Sequence, residues 1–347
     1  MSVRTVKLVA PRSFAIVTEE QPAPGPGEML VRCDAVGICR SDLFYYEHGR
    51  IGESQLSFPF TLGHETAGTV VEHGAGVTGP PIGAQVAIEP GIHCGRCEWC
   101  LRGDPNLCAH MRFHGSPPVQ GTHREYFTHP ADLCVPLDSP LSIDDGVMLE
   151  PLAIGVHANR LVGVQPGDTV VVLGVGPVGM MCLAVASARG AGRIVAVDQL
   201  AYRLAIAVRY GAEPVTGKSP DFVISRIDEI TGGRGADVVI EATSDPGAPG
   251  TAVRLAARGG RVGLVGVTNE TEVPIPAHEA RRKGLTLRWV RRSKLALHAA
   301  MSLATSGKVP LDGLVTHHFP LTDTKTGFDT VAAYRDEVFK AVIQPQA

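Results

Sequence analysis

Residues 168–190, DTVVVLGVGPVGMMCLAVASARG, decide the fold of the second half of this chain. A β-branched run leads into Gly174, Gly176 and Gly179 in G-x-G-x-x-G spacing, and a helix-like stretch then ends near Gly190. Between a strand and a helix, the first glycine permits a tight turn and the second lets the backbone approach a pyrophosphate. The third lets the helix pack on the strand. The stretch therefore predicts a dinucleotide-binding unit whose helix N-terminus faces the phosphates.

The next strand-like run, RIVAVD, ends at Asp198, where a dinucleotide site needs an acidic residue. Asp198 would accept hydrogen bonds from both ribose hydroxyls of the adenosine and would repel a 2′-phosphate, so NAD is favoured over NADP. Arg203 leaves an alternative open, because it could cover the adenine or pair with a phosphate. A second alternative is that the glycines are turn residues only. The predicted cofactor contacts from this region are Gly174, Gly176, Pro177, Val178, Gly179, Asp198 and Arg203.

The length of the chain and the order of its strand-like and helix-like runs predict two domains. The chain has 347 residues, of which 44% are hydrophobic and 19% are charged, which is enough for two ordinary cores. Short β-type runs rich in glycine and proline predict a β-rich domain over the first 150 residues. From about residue 165, strands alternate with helices, which predicts a doubly wound parallel sheet. We expect the tail to rejoin the first domain, giving a domain of 1–153 with 292–347 and a second of 154–291.

Charge and hydropathy exclude several classes of protein. The net charge is −3 and the pI is about 6.5, which argues against a nucleic-acid or membrane surface. Residues 169–188 carry no charge over the length of a membrane helix, but their glycines, Pro177 and β-branched first half favour a buried strand, turn and helix. The N-terminal stretch lacks the apolar core of a signal peptide, so the cytoplasm is the expected location.

Four cysteines lie close together in HCGRCEWCLRGDPNLC, residues 93–108. Clustered cysteines in a long chain without an export signal favour metal ligands over disulfides. Four thiolates surround a tetrahedral Zn²⁺ with no open position, so this site would be structural and would hold a lobe that lacks a core. An iron–sulfur cluster is the alternative, although the x3-C-P continuation is missing. Free or disulfide-bonded cysteines are a third possibility. The four residues are Cys94, Cys97, Cys100 and Cys108.

A second candidate metal group is scattered along the chain. Cys39 lies in GICRSD, His64 in TLGHETAG and Glu150 in MLEPLAIGVHA. A cysteine, a histidine and a carboxylate with an open fourth position are typical of catalytic zinc. Each residue also has a plain structural interpretation: Cys39 as a small buried side chain, His64 as a hydrogen-bonded core histidine, and Glu150 as a helix N-terminal carboxylate beside Pro151.

Several stretches in register carry a resemblance to a known family. GHETAGTVVEHGAGV fits the zinc alcohol dehydrogenase signature G-H-E-x2-G-x5-G-x2-V. Together with GICRSD, the cysteine tetrad, EPLAIGVHA and GVGPVG, it makes nearly the whole chain resemble a medium-chain zinc-dependent dehydrogenase. DLFYYEHGRIG, FHGSPPVQG and LVTHHFPL are similar to the sorbitol (polyol) dehydrogenase branch. The resemblance implies a Rossmann domain plus a β-rich, GroES-like catalytic domain that carries a structural zinc lobe.

The resemblance also implies roles for individual residues. Cys39 and His64 match ligands of the catalytic zinc. Glu65 matches a carboxylate that binds the metal in some sorbitol-type relatives and lies behind the ligands in others. Glu150 matches a third ligand, which binds directly or through water, and we expect it to be the closer carboxylate when substrate is absent. Ser41 matches the hydroxyl that hands on the substrate proton.

The remaining implied contacts concern substrate and cofactor. Arg40 stands where the polyol branch usually has glycine and is interpreted as a phosphate contact. Arg292 stands where animal enzymes have tyrosine. Paired with Arg291, it either attracts a carboxylate, which would favour an aldonate, or points to solvent or a subunit partner. The implied substrate contacts are Ser41, Tyr45, Ile51, Phe113, Ser116, Glu150, Arg291 and Arg292. The further implied cofactor contacts are Arg40, Val265 and Arg291.

The expected function is the NAD-dependent oxidation of a secondary alcohol in a polyol of sorbitol or xylitol type to a ketone, with two zinc ions per subunit. Alternatives within the family are an aldonate (idonate-type), butanediol or threonine dehydrogenase. Outside it, a zinc-ribbon nucleic-acid module conflicts with the acidic charge, and a non-catalytic structural protein conflicts with the intact set of ligands. We expect a homotetramer with a small-molecule substrate and neither a nucleic-acid nor a membrane partner.

Overall fold

The computed structural model describes all residues from Met1 to Ala347. The chain divides into two compact units, one made of residues 1–150 and 297–347 and the other of residues 151–296. The sequence-based boundaries, 1–153 with 292–347 and 154–291, differ from this division by a few residues. They stay predictions of where each domain begins and ends.

The strands and helices are numbered in chain order. The strands are β1 (Ser2–Ala10), β2 (Ser13–Glu20), β3 (Glu28–Gly37), β4 (Arg50–Ile51), β5 (Ser54–Gln55), β6 (Glu65–His73), β7 (Gln85–Ile88), β8 (Gly91–Ile92), β9 (Arg112–Phe113), β10 (Tyr126–Pro130), β11 (Cys134–Pro136), β12 (Thr169–Leu173), β13 (Arg193–Asp198), β14 (Glu213–Thr216), β15 (Ala236–Glu241), β16 (Ala256–Leu264), β17 (Thr286–Trp289), β18 (Val315–Pro320) and β19 (Lys340–Gln344). The α-helices are α1 (Arg40–His48), α2 (Glu98–Leu101), α3 (Ile143–Val162), α4 (Pro177–Ala188), α5 (Ala201–Arg209), α6 (Pro220–Thr231), α7 (Ala248–Leu255), α8 (Ala277–Lys283), α9 (Leu297–Thr305) and α10 (Thr324–Ala332). Short 3₁₀ turns cover Pro105–Leu107, Ala131–Leu133, Leu321–Asp323 and Arg335–Glu337.

The first unit is built on a mainly antiparallel sheet. Its strands run in the order β11-β7-β6-β3-β19-β18, and β10 also pairs with β3. The C-terminal strand β19 lies antiparallel to β3, so the tail of the chain completes the sheet of this unit. A hydrophobic cluster that includes Val31, Tyr46, Leu62 and Phe328 fills its interior. This arrangement confirms the β-rich domain that the sequence predicts.

The bounds of helix α3 show that the interpretation of Glu150 as a helix N-terminal carboxylate is wrong. Glu150 lies in the middle of this 20-residue helix, which continues through Pro151, and is therefore not a helix N-terminal carboxylate. The helix begins at Ile143, because Ser142 and Asp145 exchange hydrogen bonds just before it. Ser142 N–H donates to the carboxylate at 2.8 Å, and Asp145 N–H donates to the hydroxyl at 3.2 Å.

The second unit is the doubly wound parallel sheet that the sequence predicts. Its six strands run in the order β14-β13-β12-β15-β16-β17, and all of their pairings are parallel. The chain order of the strands reverses between β12 and β15, which makes this the crevice where such sheets bind ligands. The uncharged stretch 169–188 is strand β12 followed by helix α4, as predicted. No helix of the chain combines the length and the apolarity needed to cross a membrane.

Candidate active site

The first turn of α1 places Cys39 at a helix N-terminus. Cys39 is the residue before the helix, and its N–H donates to Asp42 Oδ2 at 3.1 Å. Gly49 ends the helix in a left-handed conformation with φ 68°, which glycine adopts without strain. Ser41 lies in the same first turn and is partly exposed. The local sequence therefore holds the thiol and the Ser41 hydroxyl on one short turn.

Asp42 orients the candidate metal-binding histidine. Its carboxylate is 1% exposed, and Oδ1 lies 3.5 Å from His64 Nδ1 and accepts the N–H of Gly63 at 3.3 Å. A carboxylate facing one ring nitrogen fixes the tautomer and leaves the other nitrogen available for a metal. Asp42 is not among the residues predicted from the sequence, although its position three residues after Cys39 is the spacing of a capping pair.

Three different donor atoms converge at this turn. The ligand atoms of Cys39, His64 and Glu65 all lie within 4.8 Å of one another. His64 and Glu65 are adjacent, because β6 begins at Glu65 directly after the histidine. Sulfur, nitrogen and carboxylate oxygen are the donors that zinc prefers. The structure thus brings together the two ligands that the sequence analysis favoured and one of its two candidate carboxylates.

A buried lysine accompanies Glu65. Lys340 Nζ forms an ion pair with Glu65 Oε2, and both side chains are 1% exposed. Lys340 Nζ also donates to the carbonyl oxygen of Ile38 at 3.4 Å. Gly37 makes room for the pair, since a Cβ there would lie 3.0 Å from Lys340 Cε. Lys340 is not among the residues predicted from the sequence, because lysine is rarely buried and its neighbours in the chain do not indicate burial.

Glu150 reaches the same region from α3 but does not join the three converging donors. It is 8% exposed, and burial raises its pKa to about 8, while His64 lowers it and Glu65 raises it further. This geometry differs from the expectation that Glu150 is the closer carboxylate. The reason is that Glu65 follows His64 in the chain, whereas Glu150 comes from a separate helix. Which glutamate binds the metal stays a prediction.

The electrostatics of the group fit a bound cation. Burial opposes a charge on His64, but Asp42 and Cys39 outweigh burial and raise its pKa well above the usual value. Burial lowers the pKa of Lys340, but Glu65, Cys39 and Glu150 outweigh burial and raise it. One oxygen of Glu65, Oε1, is buried without a hydrogen-bond partner. An unpaired buried carboxylate oxygen is costly, and a divalent cation would satisfy it.

Phe113, one of the predicted substrate contacts, lies beside the donor group. Its ring centroid is 5.4 Å from that of His64. The turn after β9 packs on the histidine's neighbour, since a Cβ on Gly115 would lie 2.9 Å from the Gly63 carbonyl oxygen. Ser116 belongs to the same turn, and its N–H donates to the Phe113 carbonyl at 3.1 Å. This turn provides an apolar wall beside the imidazole.

The other predicted contacts of the first unit pack on the hydrophobic core or on their own helix. Tyr45 is 3% exposed and belongs to the hydrophobic core, and Ile51 packs against that core. The Tyr45 hydroxyl lies 3.0 Å from Ser54 Oγ. Arg40 stacks on its own helix, with Cζ 5.2 Å from the centroid of the Phe44 ring. Their substrate and cofactor roles stay predictions.

The cysteine tetrad comes together as the spacing predicts. The four sulfurs lie within 4.8 Å of one another, with Cys97 Sγ 3.6 Å from Cys100 Sγ and 3.8 Å from Cys108 Sγ. Helix α2, inside this lobe, buries none of its residues, and Leu101 is 76% exposed. Because this lobe has no hydrophobic core, its folding needs another stabilising interaction. Four convergent thiols fit a structural zinc ion, which would supply it.

The glycine loop of the second unit has the predicted form. Gly174 has φ 80°, and Gly176 lies just before α4, which begins with Pro177. A Cβ on Gly179 would collide with the carbonyl oxygen of Gly174, so the third glycine lets the helix pack on the loop. The N–H groups at the start of α4 remain available to a phosphate.

Asp198 lies against this loop. Its Oδ2 accepts the N–H of Val175 at 2.9 Å, and its Oδ1 accepts the N–H of Leu200 at 2.9 Å. Arg203 lies near both the acid and the loop, with Nη1 3.7 Å from Asp198 Oδ2 and 3.3 Å from the position of a Cβ on Gly176. Arg203 therefore lies beside the glycine loop, where the phosphates are expected. Whether it pairs with a phosphate or covers the adenine stays a prediction.

The remaining predicted contacts follow the carboxyl ends of strands. Val265 comes directly after β16, and its N–H donates to the Glu241 carbonyl at 2.8 Å. Arg291 and Arg292 follow β17, and Arg292 has φ 56°. Their positions agree with a ligand at this edge of the sheet, and their individual roles stay predictions.

Comparison with known proteins covers nearly the whole chain. Residues 25–139 match the alcohol dehydrogenase GroES-like domain, and residues 177–306 match the zinc-binding dehydrogenase family. The chain is 34% identical to sorbitol dehydrogenase of Bacillus subtilis strain 168, over 96% of this chain and 95% of that protein. It is 37% identical to D-xylulose reductase A of Aspergillus niger, over 91% and 90% respectively. The crystal structure of an Escherichia coli oxidoreductase of unknown specificity matches with a TM-score of 0.93 at 32% identity, over 99% of both chains.

Proposed function

The chain belongs to the zinc-dependent medium-chain alcohol dehydrogenase family, and on that premise we propose that it oxidises a secondary alcohol of a polyol to a ketone and reduces NAD⁺. The observation that carries the proposal is the convergence of Cys39, His64 and Glu65 in one buried site. The substrate class is supported by the similarity to a sorbitol dehydrogenase and a D-xylulose reductase.

The residues of the site have distinct tasks in this reaction. Cys39, His64 and one glutamate would hold zinc, which when bound acts as a Lewis acid and lowers the pKa of an alcohol hydroxyl. Ser41 Oγ takes the proton of the substrate hydroxyl and passes it toward solvent. Asp42 holds His64 in one tautomer, and Phe113 excludes water from one side. The bound nicotinamide supplies the hydride acceptor.

Competing substrates give the direct test of this proposal. We expect kcat/KM for sorbitol or xylitol to exceed that for butanediol and threonine by about tenfold or more, since a site that pairs several hydroxyls rejects analogues that lack them. Following NADH absorbance with these substrates and with idonate measures the ranking. Polyols ranking below the diol or threonine would overturn the proposed substrate class.

The aldonate alternative has a specific basis in Arg291 and Arg292, which are adjacent after β17. Two guanidinium groups attract a carboxylate more strongly than a neutral polyol. In this case idonate would be the best substrate of the panel, and Arg292→Tyr would lower kcat/KM for idonate without changing that for sorbitol. An Arg292→Tyr enzyme with an unchanged ranking removes the alternative.

The choice of NAD over NADP is proposed to depend on Asp198. Asp198→Ala should lower kcat/KM for NAD⁺ by about tenfold or more, because hydrogen bonds from the ribose hydroxyls to a charged acceptor are lost. The same change should raise kcat/KM for NADP⁺, since the repelling charge is gone. Initial rates with both cofactors measure the shift.

Glu213→Ala is the matched control for that substitution. Glu213 begins the neighbouring strand β14 and pairs with Arg193 at 2.8 Å on the surface. This change also removes one negative charge from the second unit and should leave the cofactor ratio unaltered. A wild-type ratio in Asp198→Ala would contradict the assigned role.

The assembly and location are proposed as well. We propose a cytoplasmic homotetramer that acts on small molecules, without a nucleic-acid or membrane partner. The net charge of −3 supports the absence of a polyanion-binding surface. The cysteine tetrad lies within the residues that match the GroES-like domain, which favours a lobe of the dehydrogenase over a separate zinc-ribbon module.

A further inference from the structure

Glu241 is a buried acid that the proposed reaction does not use. It is the last residue of β15 and is 3% exposed. Its Oε1 accepts two hydrogen bonds from Thr243, one from the N–H at 2.6 Å and one from the hydroxyl at 2.7 Å. A buried carboxylate that accepts several bonds fixes the backbone around it.

The same residue also meets the end of the next strand. Its carbonyl oxygen accepts the N–H groups of Val265 at 2.8 Å and Gly266 at 3.1 Å. The carboxylate lies against Gly266, where a Cβ would come within 2.7 Å of Oε1 and 2.6 Å of Oε2. Glu241 therefore fixes the residues that follow β15 and those that follow β16.

The residues that follow Glu241 contact the glycine loop. The N–H of Ala242 donates to the Leu173 carbonyl at 2.8 Å. A Cβ on Gly174 would lie 2.7 Å from Thr243 Cγ2, so the threonine packs directly on the first glycine of the fingerprint. Through Thr243 and Gly266, one carboxylate supports the loops after β15 and β16, and the methyl group of Thr243 packs on the loop after β12.

These loops flank one half of the expected cofactor. A dinucleotide lies across the point where the strand order reverses, with one nucleotide on each side. Asp198, at the end of β13, marks the side of the adenosine. The nicotinamide half therefore lies toward β15 and β16, above the loops that Glu241 supports.

We propose that Glu241 is a positioning residue for the nicotinamide half of the cofactor, acting through Thr243 and Gly266. It fixes the shape of the loops after β15 and β16, against which the nicotinamide nucleotide lies, whereas the contacts of Asp198 on the adenosine side do not involve it. The proposal rests on dinucleotide binding by the second unit and is independent of the polyol substrate.

Titration of the zinc-loaded, full-length enzyme with NADH and with AMP tests this role. Glu241→Ala should raise the Kd for NADH by about tenfold, because the Thr243 donors lose a charged acceptor and the loop loosens. AMP carries only the adenosine half, so its Kd should stay within about twofold of wild type. Glu241→Gln keeps an amide oxygen for Thr243 and should restore the NADH Kd to within about threefold. NADH fluorescence, with AMP as competitor, gives both constants.

Asp237→Ala is the matched control, because Asp237 lies on the same strand at its opposite end. Its Oδ2 accepts the N–H of Thr169 at 2.9 Å and so joins β15 to β12 away from the cofactor edge. This variant should lower the melting temperature and leave both Kd values unchanged. A larger loss of NADH than of AMP binding in Asp237→Ala would show that any loosening of β15 suffices and would overturn the proposal.

Other outcomes separate this proposal from its premise. Equal weakening of NADH and AMP in Glu241→Ala, or no weakening of either, would overturn the positioning role. A wild-type enzyme that binds neither ligand would instead refute dinucleotide binding itself, and the positioning role with it. If Glu241→Ala does not fold, Thr243→Val removes one donor and should weaken NADH alone by about threefold. An unchanged NADH Kd in that variant would also overturn the role.

Discussion

Replacing Cys39 by serine should lower kcat/KM for the alcohol by about a thousandfold or more, because the proposed catalytic zinc, which would polarise the reacting hydroxyl, loses a ligand. The sulfur of Cys39 is one of the three donors that converge within 4.8 Å, and a serine hydroxyl does not ionise at neutral pH to replace it. The Kd for NADH should stay within about twofold of wild type, since the predicted dinucleotide contacts at Gly174 and Asp198 are untouched. Steady-state rates and NADH fluorescence measure the two effects.

Cys134→Ser is the matched control for this substitution. Cys134 is a buried cysteine of the same unit, and its thiol donates to the Pro130 carbonyl at 3.5 Å. A serine hydroxyl can make the same bond, so activity should remain within about twofold of wild type. If Cys39→Ser kept more than about a tenth of the activity, the metal group would not be the catalytic centre.

The second large effect is expected in the cysteine lobe. Cys100→Ser should remove one zinc ion per chain and lower the melting temperature by about 10 °C or more, because metal binding supplies the folding free energy of a lobe without a core. Helix α2 buries none of its residues, so the lobe has little else to hold it. Arg96 and Arg102 lie inside the tetrad, and trypsin should cut there in the variant but not in wild type. Metal analysis, thermal melting and limited proteolysis give the three readouts.

Cys134→Ser again provides the control, with wild-type zinc content and resistance to trypsin. A Cys100→Ser protein that kept both properties would contradict a metal-held lobe. Iron and acid-labile sulfide in place of zinc, with visible absorption from the purified protein, would select the iron–sulfur alternative.

The parts of the fold that short sequence patterns determine were predicted correctly. Strand β12, the glycine loop and helix α4 are adjacent in the chain, so spacing alone carries the information. The cysteine tetrad is equally local, with all four ligands within residues 94–108. Resemblance to a family was needed to associate Cys39 with His64, because no periodic pattern links residues so far apart.

What the sequence did not reveal depends on tertiary contacts. Lys340 meets Glu65 only because β19 returns beside β3, and burial of a lysine cannot be read from its neighbours in the chain. The relative places of Glu65 and Glu150 depend on a strand and a helix from different parts of the first unit. Both glutamates can be identified as candidates from the sequence, but only the folded structure places Glu65 beside the Cys39 thiol and the His64 imidazole.

Anomalous diffraction at the zinc absorption edge, from crystals of the zinc-loaded enzyme, tests the central claim most directly. The account predicts two zinc peaks per chain. One should lie among the sulfurs of the cysteine tetrad, and the other within bonding distance of Cys39 Sγ and the free ring nitrogen of His64. The second peak should also have Glu65 or Glu150 as its carboxylate ligand. A single peak in the tetrad, with no metal at Cys39 and His64 in an active enzyme, would contradict the account.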